Sequence, residues 1–396
     1  MKTKIAGIAL FALTLGAIFY YPALQAGDGG KTSRIDQRIA APQRPVIDVV
    51  FVLDTTGSMS GLIDTAKEKI WAIASTMASA QPTPDIRIGL VGYRDRGDAY
   101  VTRVVDLSDD LDSVYAKLME FEAGGGGDGP ESVNAALNDA VHRMSWSARD
   151  QAYQVIFLVG DAPPHMDYDE VRYPEIVAEA RERGIVINTI QCGNMEMTVE
   201  PWTAIARLGQ GAFFQVEQSG GAVAYATPFD TELADLSAKL DATRLYYGSE
   251  EDRKRSQEKI DAATETMAMA SVASRARRGV FNAGEAGRAN LLGDKELVAA
   301  VASGEVALDE LEKEALPAAL QPMAPEEQQA YIGKLAKERA DLQDRIRQLS
   351  VDRNEFIAKK AEAAGDLDDS LDSKLYEAVR DQAAKEGLEY KDGPAY

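Results

Sequence analysis

The 396-residue chain is expected to fold as α/β, with a doubly wound, mostly parallel six-stranded sheet and an α-helical C-terminal region. Three observations predict this. Val46 to Leu53 is a run of aliphatic and aromatic residues broken only by Asp48, which suits a strand buried on both faces. From Pro45 to about Phe229, strand-like and helix-like stretches alternate, and helices between strands imply parallel crossovers. From about Thr231 onward the strand signal is lost.

Each element has its own reason. After the first strand, Ile63, Ile70, Ile73 and Met77 recur at helical spacing until Pro82 and Pro84 stop the helix. IRIGLVGYRD reads as a second strand and Tyr100 to Val105 as a third, with LSDDLDSVYAKLMEFEA as the helix that follows. PESVNAALNDAVHRM is helical with Pro130 in its first turn. YQVIFLVGDAPPH gives a fourth strand and its loop, Glu170 to Arg183 a helix closed by Gly184, and IVINTIQC a fifth strand. A short helix from Glu200 to Arg207 precedes a sixth strand, AFFQV. In the C-terminal region Leu335, Leu342, Leu349 and Phe356 fall every seven residues, but Arg339 and Arg353 interrupt the companion positions. That is a weak coiled-coil pattern, and a long amphipathic helix packed within the same chain is the preferred reading.

Acidic residues outnumber basic ones by 64 to 43, for a formal charge of -21. This argues against non-specific nucleic-acid binding. A single cysteine, Cys192, excludes an intramolecular disulfide and, ending an apolar strand, reads as a buried small hydrophobe. Lys2 and Lys4 precede an apolar run from Ile5 to Tyr21 that ends in small residues before Gly27. Residues 1–26 therefore read as a signal peptide, with an uncleaved membrane anchor as the alternative. Residues 27–44 read as a linker. The expected location is exported: periplasmic, cell-envelope or secreted.

Three loops at the carboxyl ends of strands carry oxygen-bearing side chains: Asp54, Thr56 and Ser58 in the first, Asp128 and Glu131 in GGGGDGPES, and Asp161 in VGDAPPH. Taken singly, such residues are more often helix caps. Taken together, a carboxylate and two hydroxyls at the spacing Asp-x-Thr-x-Ser, joined by further acids, suit a hard divalent cation. Open α/β sheets bind ligands at this end. The glycines from Gly124 to Gly127 lack the Gly-Lys-Ser/Thr of a phosphate loop and read as a turn that lets the second loop come close. His142 reads as structural and His165 as a hydrogen-bonded loop residue.

With its Asp-x-Thr-x-Ser motif and the loops that follow, the chain resembles a von Willebrand factor type A domain, whose metal-ion-dependent adhesion site opens on such a motif. The resemblance covers about 185 residues. It implies a type A domain over 45–245, followed by an acidic helical extension over 246–396. It also implies that Thr56 and Ser58 bind Mg²⁺ or Mn²⁺ directly, while Asp54 and Asp161 act directly or through water. Many members carry a threonine in the second loop. Here Asp128-Gly129-Pro130-Glu131 looks like the Asp-x-Pro-Glu of the integrin β subunit's A-like domain, which leaves Glu131 and Asp128 as alternative ligands. The Asp-Asp pair that follows the first loop in integrin β subunits is replaced by Ser60, Gly61 and Leu62. The segments LDATRLYYG and AVRDQAAKEGLEY are similar to the tails of exported bacterial proteins with this domain.

The implied function is cation-dependent protein binding without turnover, the partner presenting an Asp or Glu that completes the coordination. The alternative is a metal-dependent hydrolase or phosphatase using the same acids, since DTTGS is similar to the aspartyl-phosphate motif of haloacid-dehalogenase-type enzymes. Against it, Thr56 stands where such phosphatases usually carry a second acid, and Met59 holds the hydrolase-elbow position.

Overall fold

The computed structural model describes residues 44–127, 129–148, 152–218, 225–364 and 371–390, apart from the side chains of 361–375. The signal-peptide or anchor segment, most of the linker, and Asp128 lie outside the described residues. Strand β1 (Val46–Asp54) is buried along its whole length. Parallel neighbours β2 (Asp85–Tyr93) and β4 (Ala152–Gly160) flank it, and β5 (Ile185–Cys192) and β6 (Gln210–Val216) continue the sheet in parallel. Strand β3 (Thr102–Ser108) closes the other edge, antiparallel to β2. The resulting order, β3-β2-β1-β4-β5-β6, reverses direction between β1 and β4. In open α/β sheets the carboxyl ends of the strands at such a switch point are where ligands bind.

Helices cover both faces. Helix α1 (Ser60–Ala78) and α2 (Leu111–Met119) pack Leu62, Ile70, Trp71, Val114 and Leu118 on one side. On the other, α3 (Val133–His142), α4 (Tyr173–Glu182) and α5 (Glu196–Leu208) bury Leu137, Ile176, Trp202 and Ile205.

Several boundaries differ from the sequence expectation: α3 starts at Val133, so Pro130 lies before it and not in its first turn, and α4 starts at Tyr173 instead of Glu170. Strand β3 runs on through Ser108, and its helix starts only at Leu111, where the Asp110 side chain accepts the Ser113 N–H as a cap. Helix α5 begins four residues before Glu200 and accommodates Pro201 inside it, although proline favours a first turn.

The region after β6 is helical: α6 (Asp230–Asp241), α7 (Glu250–Met269), α8 (Val272–Ala283), α9 (Arg288–Leu292), α10 (Leu297–Ala302), α11 (Pro325–Ala364) and α12 (Leu371–Ala383). Phe281 of α8 stacks obliquely on Trp71, with ring centroids 6.0 Å apart. Arg278 is fully buried and grips Asp112 of α2 through two hydrogen bonds of 2.6 and 2.7 Å, with Asp241 on its other side. The long helix α11 packs Ile332, Leu335, Ile346 and Leu349 against helices of its own chain. The arginines that break its heptad pattern are buried too, Arg339 on Glu296 and Arg353 on Asp230. Among the described residues no helix is long and apolar enough to cross a membrane.

Residues 376–390 return to the sheet as a strap. Ala378, Val379, Ala383 and Leu388 join the core on the α1 face, and burying Val379 and Leu388 contributes about 2 kcal/mol each. Gln382 accepts the Tyr153 hydroxyl at 2.7 Å and exchanges two hydrogen bonds with Asn188. Gln81 and Glu389 pair through their backbones.

Candidate metal centre

The carboxyl end of β1 delivers Asp54, fully buried, to this switch point. Its Oδ1 accepts the backbone N–H of Thr56 at 2.9 Å and the Thr56 hydroxyl at 2.6 Å. Thr56 Oγ1 lies 3.4 Å from Ser58 Oγ. A 3-10 turn over Gly57–Met59 leads straight into α1, and neither Thr56 nor Met59 caps it with a side chain. The capping role that competes with metal ligation is therefore not the one these hydroxyls fill. Ser58 is exposed at the mouth, whereas Thr56 is buried.

Backbone hydrogen bonds draw the loops together. Gly57 donates to the Gly125 carbonyl and Gly124 to that of Thr55. Gly126, with φ of +77°, sits where any larger residue would collide: a methyl group there would meet Thr56 Cβ at 3.2 Å and Glu131 Oε1 at 3.3 Å. Glu131 thus faces the first loop. Its N–H bonds to Pro163 and its carbonyl accepts from His165, which ties the second loop to the third. Ser132, the residue before α3, likewise does not cap; its hydroxyl goes to Asp95, which also accepts the Tyr168 hydroxyl.

Asp161 follows β4 and is buried. Its Oδ2 accepts from Gln218 Nε2 at 2.7 Å. Gly160, just before it, is pressed between two buried polar atoms: an added methyl would lie 2.5 Å from the Tyr93 hydroxyl and 3.1 Å from Asp54 Oδ2. Neither atom has a hydrogen-bond partner among the described residues. Burial pushes the Asp54 carboxyl up to about 7; its hydrogen bonds from Thr56 work against this, and the neighbouring Asp161 adds to it. Burial likewise raises the Tyr93 hydroxyl, reinforced by Asp54, Asp161 and Glu131.

Of the residues singled out in the sequence, Asp54, Thr56, Ser58, Glu131 and Asp161 lie together at this end of the sheet; Asp128 lies outside the described residues. Among the described residues no three acids, histidines or cysteines close on a point by themselves, so a bound ion would also draw on the hydroxyls of the first loop. The fit to a cation rests on chemistry. Asp54 and Asp161 sit together without a basic side chain bonded to either among the described residues, and Asp54 Oδ2 has no hydrogen-bond partner there. Removing such a charge from water is costly unless an opposite charge compensates it.

His165 is buried, bonded through Nδ1 to Asp167 at 2.9 Å and stacked on Tyr168, as a loop-bracing residue. His142 is exposed at the end of α3, 2.7 Å from Glu179. Cys192 is buried, and burial raises its thiol. The sequence reading missed Gln218 and Tyr93. Their only signal was position: Tyr93 ends a strand, and Gln218 stands two residues past one.

The fold and these loops define an α/β sheet protein with an acidic, hydroxyl-lined site at its topological switch point. Residues 48–224 match the model of the von Willebrand factor type A domain, and this stretch is a type A domain. An alpha-protein kinase from Dictyostelium discoideum is 31% identical over 121 residues, 30% of this chain and 19% of that protein. The von Willebrand factor A domain-containing protein 7 of Mus musculus is 31% identical over 181 residues, 42% of this chain and 19% of that protein. The chain thus spans about a fifth of these relatives' length. Among solved structures, the mussel-byssus proximal thread matrix protein 1 with a zinc-occupied MIDAS motif covers 44% of this chain and 42% of its own, at 14% identity and a TM-score of 0.33.

Proposed function

We propose that this protein is an exported, divalent-cation-dependent protein-binding module. The observation that carries the reading is the carboxylate pair of Asp54 and Asp161, to which no cationic side chain is bonded among the described residues and whose buried Asp54 Oδ2 has no hydrogen-bond partner among them. Asp54, Thr56, Ser58, Glu131 and Asp161 would hold Mg²⁺ or Mn²⁺, with Asp128 as an alternative or accessory ligand. When bound, the ion supplies a partly charged oxygen-seeking position at the mouth, where a partner's Asp or Glu is the natural ligand.

The chain's own residues do the rest. Thr56 and Ser58 offer neutral oxygens, which leave more of the ion's charge for the partner than acids would. Ser58, exposed, marks the side from which a partner approaches. The strong negative charge of the chain selects against highly acidic partners and nucleic acid, and favours one carboxylate on a neutral or basic surface. Lys2, Lys4 and the apolar run after them support export, or attachment to a membrane through that segment.

The test is capture from an envelope or extracellular extract with Mg²⁺ present. A partner lost on EDTA treatment and on Ser58→Ala supports the reading. Equal retention by wild type, variant and EDTA-treated protein overturns it.

A further inference from the structure

We infer that Gln218 is a positioning residue that makes the site discriminate Mg²⁺ from Ca²⁺; this rests on the reading that the site holds a divalent cation. One terminal amide joins two loops. Gln218 Nε2 lies 2.7 Å from Asp161 Oδ2 and 3.4 Å from the Ser58 carbonyl, with Met59 Sδ at 3.7 Å. It therefore fixes the third-loop acid against the turn that presents the Ser58 hydroxyl.

The fold is shaped to admit this side chain. Gly193, just past β5, adopts φ of +76°, and a methyl group there would lie 2.1 Å from Gln218 Oε1. Its backbone is anchored by a hydrogen bond to the Val216 carbonyl and another from Gln215. No larger residue fits at 193 while Gln218 keeps its place.

The chemistry of the amide matters as much as its location. A lysine or arginine at this point would neutralise Asp161 and compete with a cation. A neutral N–H donor orients the carboxylate and leaves its charge intact. Holding Asp161 and the Ser58 turn at a set spacing favours an ion with strict geometry. Mg²⁺ demands a near-ideal octahedron with short bonds, whereas Ca²⁺ accepts more ligands at longer and more variable distances. A loosened spacing should therefore cost Mg²⁺ more than Ca²⁺.

Gln218 is exposed on the whole, so replacing it does not threaten the fold. Gln218→Met keeps length and removes the donor; Gln218→Ala removes both. Calorimetric titration of the full chain with Mg²⁺ and separately with Ca²⁺, on metal-stripped protein, should show Mg²⁺ affinity falling about 10- to 100-fold in both variants. Ca²⁺ affinity should fall several-fold less, and the melting temperature without cation should stay unchanged. Wild type that binds Mg²⁺ while the variants keep its Mg²⁺-to-Ca²⁺ ratio would overturn the inference alone. Wild type that binds neither cation would overturn the reading of the site, and the inference with it.

Discussion

Strand β1 carries two buried aspartates, one near each end, and their surroundings are opposite. Asp48 is gripped by Arg87 through hydrogen bonds of 2.8 and 2.7 Å and also accepts the Ser147 N–H. Asp54, six residues on and equally buried, takes the N–H and hydroxyl of Thr56 on one oxygen, is bonded to no cationic side chain among the described residues, and has a second acid beside it. An acid with a cation built into the chain is structural. An acid to which the chain supplies no cation is the place where we propose that one comes from outside. Asp112 with Arg278, both fully buried, is a third instance and belongs with Asp48.

The largest effect should come from taking away a built-in cation in the deepest setting. Arg278→Met leaves Asp112 and Asp241 without their shared guanidinium and should cost about 3–5 kcal/mol in urea unfolding. A loss under about 1 kcal/mol would erase the contrast with Asp54.

Next comes the acid without a cation. Asp54→Asn should abolish the stabilisation by Mg²⁺, which at 100 times the dissociation constant is worth about 2.7 kcal/mol. In metal-free buffer the same variant should melt no lower than wild type, because an uncompensated buried charge has gone. A metal-free melting temperature that drops sharply would place Asp54 in the structural class.

Arg87→Met should cost about 2 kcal/mol, since water can reach the partly exposed Arg87 position and soften the loss at Asp48. Mg²⁺ affinity should not change. A weaker Mg²⁺ response in this variant would mean that the two ends of β1 are coupled.

The smallest effect at neutral pH concerns Asp112. Burial pushes its carboxyl up, but the Arg278 guanidinium outweighs this and holds it below the usual range. A lowered folded value makes this stability fully present above about pH 4, the unfolded value, and lost as pH falls through the folded one. Acid titration of thermal stability should show that loss in wild type and less of it in Arg278→Met. Identical acid limbs would remove Asp112 from the account.

Much of this was legible in the sequence because it followed from repetition. The apolar run of β1, the alternation of strand and helix, and the loops holding Asp54, Glu131 and Asp161 all depend on local pattern, and the sheet follows it. What was hidden depends on contacts between distant parts. Gln218 lies in a polar loop with no periodicity, and only the fold brings it to Asp161. The buried role of Arg339 and Arg353 looked like a defect in a heptad pattern, because the acids they meet, Glu296 and Asp230, lie 43 and 123 residues away. The extent of β3 was misjudged because Leu107 and Ser108 fit a helix start as well as a strand end; the Asp110 cap decides between them.

The strap formed by residues 376–390 sets an order of events during synthesis. A ribosome makes the sheet first and the residues that cover part of its α1 face only well after it. Until Val379 and Leu388 emerge, Tyr153, Asn188 and the apolar side chains around them have no lid, and a nascent chain in that condition is open to chaperones and to aggregation. Completion of the fold is thereby deferred until residues 376–390 have been made, well after the sheet that they cover.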